Sequence, residues 1–229
     1  MHRANQESYE VEIKSLLGHA SAAERLREEM RRLDPHVQLQ SSYTQLNHYF
    51  EGGDPEKLAE RLATRISHAT VAQIRQMASG KDVSVRTREM NGAVKIVMKA
   101  SMGADSSANG VARLELEEIV PGATLEELDQ DLIDAGYKYQ AKWSRSREEY
   151  TLRGITICLD KNAGYGYLVE LEKVVGSREE LAAARSDIEA LMLELGLKEL
   201  PQERLERMFR YYNEHWPEYY GTEKVFTIE

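Results

Sequence analysis

Tyr9-Glu10-Val11-Glu12-Ile13-Lys14 is the stretch whose reading decides the fold. In an extended chain successive side chains point to opposite faces. Glu10, Glu12 and Lys14 then share one face, and Val11 and Ile13 share the other. Two carboxylates and an ammonium cannot line an apolar core, so that face asks for a polar interior that holds something charged.

Five later stretches repeat the pattern. Arg86 and Arg88 share a face, as do Lys95 and Lys99, Arg113 with Glu115 and Glu117, Arg145 with Arg147, and Glu170 with Glu172. A solvated face of an antiparallel sheet is the ordinary reading of any one such strand. Six strands that are almost purely ionic, with the signs clustered by strand, are harder to read that way. Acid falls on the first and eighth strands and base on the third, fourth and sixth.

The rest of the chain supplies the scaffold. Strands are expected at 9–17, 42–50, 83–89, 93–99, 111–120, 137–152, 155–160 and 165–175. Asn91-Gly92 between two alternating runs marks a hairpin. Ser21-x-x-Glu24, Thr124-x-x-Glu127 and Ser177-x-x-Glu180 are capping boxes that open helices, and Pro55 and Pro201 stand at further helix starts. The stretch 54–78 reads as one long helix or two short ones, 101–110 as a small-residue loop, and 224–228 as a short last strand. Together these give an α+β fold in which eight antiparallel strands with one polar face close into a barrel. No linker or repeat divides residues 1–229, so one domain is expected, with a helical insertion at 51–82 and a C-terminal helix plus aromatic tail at 201–229.

Composition narrows the function. With 39 acidic against 30 basic side chains the net charge is −9, which argues against nucleic-acid or anionic-membrane partners. The lone Cys158 excludes an internal disulfide and reads as a structural residue in an apolar run. There is no signal-peptide core, and a cytoplasmic protein is expected. The six histidines lack metal-ligand spacing. A lining with a basic and an acidic wall suits a polyphosphate chain: Arg and Lys hold phosphate oxygens, and a Mg²⁺ or Mn²⁺ ion bridges the ligand to the carboxylates.

These motifs together resemble the CYTH superfamily, the triphosphate tunnel metalloenzymes. Glu10-x-Glu12-x-Lys14 is similar to its ExExK signature. Gln45 to Phe50, with Asn47 where Asp is usual, Arg86-Thr87-Arg88, Val97-Met98-Lys99, Arg113-x-Glu115-x-Glu117, Arg145-Ser146-Arg147 with Tyr150, and Leu159-Asp160 with Gly166 and Glu170-x-Glu172 resemble the motifs that follow it. The likeness covers about 9–175, with a longer, more helical segment at 51–82 and an unmatched tail after about 215.

The resemblance implies a tunnel that binds a triphosphate. Glu10, Glu12, Glu170 and Glu172 would hold Mg²⁺ or Mn²⁺. Lys14, Arg86, Arg88, Lys95, Lys99, Arg113, Arg145 and Arg147 would hold phosphates. Asp160, Glu115 and Glu117 would be further metal ligands or tethers for the basic side chains, with Glu117 assigned to the metal and Glu115 to tethering. Glu10, Glu12, Lys14, Arg147 and Asp160 form the expected catalytic set. The implied activities are hydrolysis of tripolyphosphate, ATP or another organic triphosphate, and the class IV adenylyl cyclase reaction. A non-catalytic sensor of polyphosphate or nucleotide is the third reading. The partner is a triphosphate-bearing small molecule, and the chain would be a monomer or homodimer. Tyr211, Tyr212, Trp216, Tyr219 and Tyr220 would pack over a tunnel mouth or the barrel flank, or form an interface.

Overall fold

A computed structural model describes residues 9–78, 80–101 and 113–229. The expected loop at 101–110 and the start of the strand at 111 fall almost wholly outside the described residues.

The elements in chain order are β1 (Tyr9–Gly18), α1 (Ala20–Leu33), β2 (Leu39–Gly52), α2 (Pro55–Leu62), α3 (His68–Ala78), β3 (Lys81–Met90), β4 (Ala93–Ser101), β5 (Arg113–Ile119), α4 (Leu125–Asp134), β6 (Tyr137–Leu152), β7 (Ile155–Asn162), β8 (Gly166–Val175), α5 (Leu181–Glu194) and α6 (Gln202–Tyr219). The fold is α+β, with an eight-stranded antiparallel sheet in the order β1-β8-β7-β6-β2-β3-β4-β5. β1 and β5 end that order, and no pairing joins them among the described residues, so closure of the sheet is not part of the observed hydrogen bonding. No helix among the described residues is long and apolar enough to cross a membrane.

The chain forms two compact units. The first comprises Met1–Tyr43 and Arg145–Glu229, the second Thr44–Ser144. In the first, α1 and α5 cover the apolar face of β1, β8 and β7, burying Ile13, Leu26, Met30, Ile157, Leu171 and Ile188. In the second, α2, α3 and α4 cover the apolar face of β3, β4 and β5, burying Leu58, Ile74, Val85, Ile96, Met98 and Leu128. In both units the alternation seen in the sequence has a physical cause: burying one face of each strand under helices leaves the charged residues on the other.

Local chemistry accounts for most boundaries. Asn91 and Gly92 take positive φ values of 54° and 74° between the paired Met90 and Ala93, and Arg153 and Gly154 do the same at 52° and 74°. Two successive left-handed residues make the turn that matches strand twist. The segment 54–78 is two helices. Asp54 caps α2, its side chain accepting from the N–H groups of Glu56 and Lys57. The Thr124 and Ser177 capping boxes form, the latter on a short 3-10 turn, Arg178–Glu180, that precedes α5.

Three expectations are corrected. Ser21 does not cap α1, because the helix begins two residues earlier and His19 is the cap residue, with no side-chain bond. The helix opened by Pro201, α6, is expected to end at about His215 but runs on to Tyr219 despite Pro217 within it. The stretch 224–228 is not a strand; Val225 makes one parallel bridge to Gly164.

Candidate active site

Strand register arranges the charged face of the first unit as a grid. Glu12 of β1 lies directly opposite Glu172 of β8, which pairs with Thr156 of β7. The next row runs Lys14, Glu170, Cys158 and Glu149. The third is Leu16, Leu168, Asp160 and Arg147, and the fourth contains Gly166, Asn162 and Arg145. Like charges directly opposite one another in an antiparallel pair repel, so the Glu12–Glu172 pairing is a local cost that an added cation would remove.

Side-chain geometry agrees. Carboxylate oxygens of Glu12, Glu170 and Glu172 all lie within 4.8 Å of one another. Burial, then the charges of Glu170 and Glu10, hold the Glu172 carboxyl above the usual carboxylate range. Lys14 reaches Glu12, and its ammonium stands 3.4 Å from Glu170. The donors are all oxygen, which suits a hard divalent cation such as Mg²⁺ or Mn²⁺ and not a softer metal. Six carboxylates (Glu10, Glu12, Glu149, Asp160, Glu170 and Glu172) face three basic groups (Lys14, Arg145 and Arg147), so the face has room for added positive charge. Glu10 extends β1's charged face but is not among the three gathered carboxylates.

Arg147 is the buried cation of this face. Its Nε and Nη2 donate to the two oxygens of Asp160, each at 2.7 Å, and Nη2 also contacts Glu170. Asp160 is 1% exposed. Arg145 donates to the same carboxylate at 3.2 Å. Asp160 thus fixes both guanidinium groups. Burial disfavours the Arg147 charge, but Asp160 and Glu170 more than offset it and raise its pKa. Two further residues belong to this face and were not assigned to it from the sequence. Glu149 accepts from the hydroxyls of Ser41 at 2.7 Å and Tyr43 at 2.9 Å. Cys158 lies on the ionic face despite its apolar flanks; burial pushes its thiol up to about 12. The i, i+2 step from Arg147 to Glu149, and from Asp160 back to Cys158, carried both placements.

The second unit presents a basic face. Arg88 donates to Asn47 at 2.9 Å and to Glu117 at 3.0 Å, and Lys95 donates to the other oxygen of Glu117 at 2.8 Å. Lys99 donates to Glu115 at 2.8 Å. Arg86 donates to the hydroxyl of Tyr49 at 2.5 Å and lies over its ring. Burial would raise the Glu117 carboxyl, but the hydrogen bond from Lys95 and the charges of Arg88, Lys95 and Arg86 hold it below the usual range. In this arrangement Glu115 and Glu117 both tether basic side chains. Asn47, at the position where the resemblance leads one to expect Asp, accepts from Arg88 without adding charge. Arg113 opens β5, and its side chain lies outside the described residues.

An antiparallel sheet with helices on its apolar face and clustered carboxylates and basic groups on its ionic face defines a class of charged-face α+β protein. The CYTH domain matches residues 8–204, running through both units, and the chain belongs to the CYTH family. Members of that family include triphosphatases and adenylate cyclases; they are generally metal-dependent and act on triphosphates. No curated protein matches the chain. Among solved structures, a conserved hypothetical protein of Pyrococcus furiosus is 20% identical, with a TM-score of 0.51 over 83% of this chain and 92% of its own. The PH1012 protein of Pyrococcus horikoshii is 18% identical, with a TM-score of 0.51 and the same coverage of both chains. A provisionally named adenylate cyclase of Vibrio parahaemolyticus is 13% identical, with a TM-score of 0.52 over 88% of this chain and 98% of its own. At these identities the likeness is one of fold.

Proposed function

We propose that the protein is a metal-dependent triphosphatase, which hydrolyses the terminal phosphate of an inorganic or organic triphosphate. The observation that carries this reading is the direct opposition of Glu12 and Glu172, with Glu170 beside them, next to Lys14 and Arg147. Carboxylates crowded in this way suit a cation, and adjacent basic groups suit the anion that the cation accompanies.

Glu12, Glu170 and Glu172, with Glu10 beside them, would hold Mg²⁺ or Mn²⁺. When bound, such an ion supplies Lewis-acid charge to phosphate oxygens. Lys14 and Arg147 bind phosphate oxygens, and Asp160 keeps the Arg147 fork oriented. Arg145 extends the basic row toward the β7–β8 turn. On the basic face of the second unit, Arg86, Arg88, Lys95, Lys99 and Arg113 would likewise bind phosphate oxygens, with Glu115 and Glu117 holding the lysines and Arg88 in place. Phosphoryl transfer of this kind depends chiefly on positioning and charge stabilisation, which fixed ionic side chains provide. Hydrolysis needs only water as nucleophile, so it makes the fewest further demands on the site.

Incubating the purified protein with Mg²⁺ or Mn²⁺ and either tripolyphosphate or ATP tests the reading. Free phosphate is expected from at least one substrate. Cyclic AMP and pyrophosphate from ATP would replace hydrolysis with cyclisation, and tight binding without product would replace both with a sensor.

A further inference from the structure

The second unit holds a buried polar cluster on the helix-covered side of its strands, and the proposed chemistry does not use it. Asp129 of α4 is 2% exposed, and His48 of β2 and Thr87 of β3 are buried with it. Asp129 Oδ1 accepts from the Thr87 hydroxyl at 2.6 Å. Its Oδ2 accepts from His48 Nδ1 at 2.6 Å and from the Tyr139 hydroxyl at 2.7 Å. The Lys142 ammonium stands 3.8 Å from the same oxygen and 4.1 Å from the centre of the Tyr139 ring. One carboxylate of α4 thus cross-links β2, β3 and β6 from behind.

Such a cluster is a poor source of stability. A buried carboxylate loses its hydration, and its hydrogen bonds largely go to offset that loss. Apolar side chains could stand in the same place, as Val85, Leu128 and Leu132 do in the core of this unit. What a fully bonded polar network adds is uniqueness, since it holds the groups it joins in one arrangement. The helix that carries Asp129 is itself fixed from α2. Arg61 and Arg65 each reach Asp131 at 3.1 Å, and Arg61 reaches Asp134 at 2.7 Å.

Register shows what the cluster holds. His48 and Thr87 face each other directly across β2 and β3. The adjacent pairs are Asn47 with Arg88 and Tyr49 with Arg86, and their side chains point to the opposite face. There Arg88 donates to Asn47, and Arg86 to the Tyr49 hydroxyl. Asp129 therefore grips the row that lies between the two arginine rows. Bonds to both members of that row fix β2 against β3, and with them the spacing of the two guanidinium groups; a slip of one residue would exchange the faces.

We propose that Asp129 is a positioning residue for the basic face: acting through Thr87 and His48, it presets Arg86 and Arg88 for a polyphosphate anion that it never touches. The inference rests on the reading of these arginines as phosphate ligands. Its test measures binding and not turnover. An imido-linked, non-hydrolysable tripolyphosphate is titrated with Mg²⁺ into the full-length protein in a calorimeter, well below the melting temperature of every variant. Thr87→Val keeps the shape of the buried side chain and removes its bond to Asp129. It is expected to weaken binding about fivefold, and Thr87→Ser, which returns the hydroxyl, is expected to restore it. Asp129→Asn is expected to weaken binding at least as much; should it fold poorly, Thr87→Val carries the test. In an Arg88→Gln background the loss from Thr87→Val is expected to shrink to about twofold or less, because one of the groups it positions is gone. A purely structural contact would lower the melting temperature in both backgrounds and leave these affinities alone. Wild-type affinity in Thr87→Val, or a fivefold loss that persists unchanged beside Arg88→Gln, overturns the proposal alone. Wild-type affinity in both Arg86→Gln and Arg88→Gln removes the phosphate reading of the two arginines and the proposal with it.

Discussion

At the scale of single residues, the clustered carboxylates of the first unit's face act in pairs. Glu12 faces Glu172, and Glu170 is shared between Lys14 and Arg147. Glu12→Gln is expected to lower metal-dependent kcat/KM by on the order of 10²–10³, as removal of a preorganised electrostatic group does. The same change should leave the metal-free protein at least as stable, because it removes a repulsion between opposed carboxylates. Thermal melts with and without Mn²⁺ read both effects; a variant that is fully active and still stabilised by Mn²⁺ would remove Glu12 from the metal site. Arg147→Met should act differently. It leaves the buried Asp160 with only the longer bond from Arg145, and breaking a buried pair costs about 3–5 kcal/mol. Denaturant unfolding should show that loss with or without metal, and an unchanged midpoint would contradict the role of Arg147 as the buried anchor.

At the scale of elements, helices dock on the sheet through polar contacts as well as apolar area. Arg27 of α1 forks onto Glu148 of β6, both bonds at 2.9 Å, and the Tyr150 hydroxyl donates to the same carboxylate at 2.7 Å. Burial would raise the Glu148 carboxyl, but the bonds from Arg27 and Tyr150 and the charge of Arg27 hold it below 4.5. A carboxylate depressed in the folded state adds stability above its unfolded pKa and loses it as pH falls through the folded value. Glu148→Gln should therefore cost about 1 kcal/mol at pH 7, with the gap to wild type closing as pH drops below 4.5. Urea titrations at pH 7 and pH 3 check this, and a gap of constant size would show that the contact is not ionic. Asp54 shows the same economy on a smaller scale: one carboxylate satisfies two free N–H groups of α2.

At the scale of the whole molecule, a net charge of −9 coexists with a strongly basic face. The proposed function makes cation and anion cooperate: Mn²⁺ offsets the carboxylates, and the triphosphate offsets the arginines and lysines. Ligands that bind only the folded state raise its stability, by about 2.7 kcal/mol at a hundredfold excess over Kd. The melting temperature should rise more with Mn²⁺ and tripolyphosphate together than the sum of the separate shifts. A strictly additive response, read by scanning calorimetry, would mean that the two bind independently.

How much could be read beforehand follows from the same physics. Alternation placed Glu10, Glu12, Lys14, Arg86, Arg88, Lys95 and Lys99 on ionic faces because a strand buried on one side has no other way to dispose of charge. It placed Glu149 and Cys158 there too, but an apolar run hid the thiol and a second glutamate masked the first. The Thr124 cap and the Asn91-Gly92 turn were legible because they depend on neighbours in sequence. Ser21 misled, since a competing start two residues earlier won. The sequence by itself determined the strands, their polarity and the family. Only the tertiary structure decided that Glu12 opposes Glu172, that Asp160 locks two arginines, that Glu117 is tied to Arg88 and Lys95, and that the tail folds back along Gly164. Register and side-chain partners join residues far apart in the chain, and no local preference encodes such pairings.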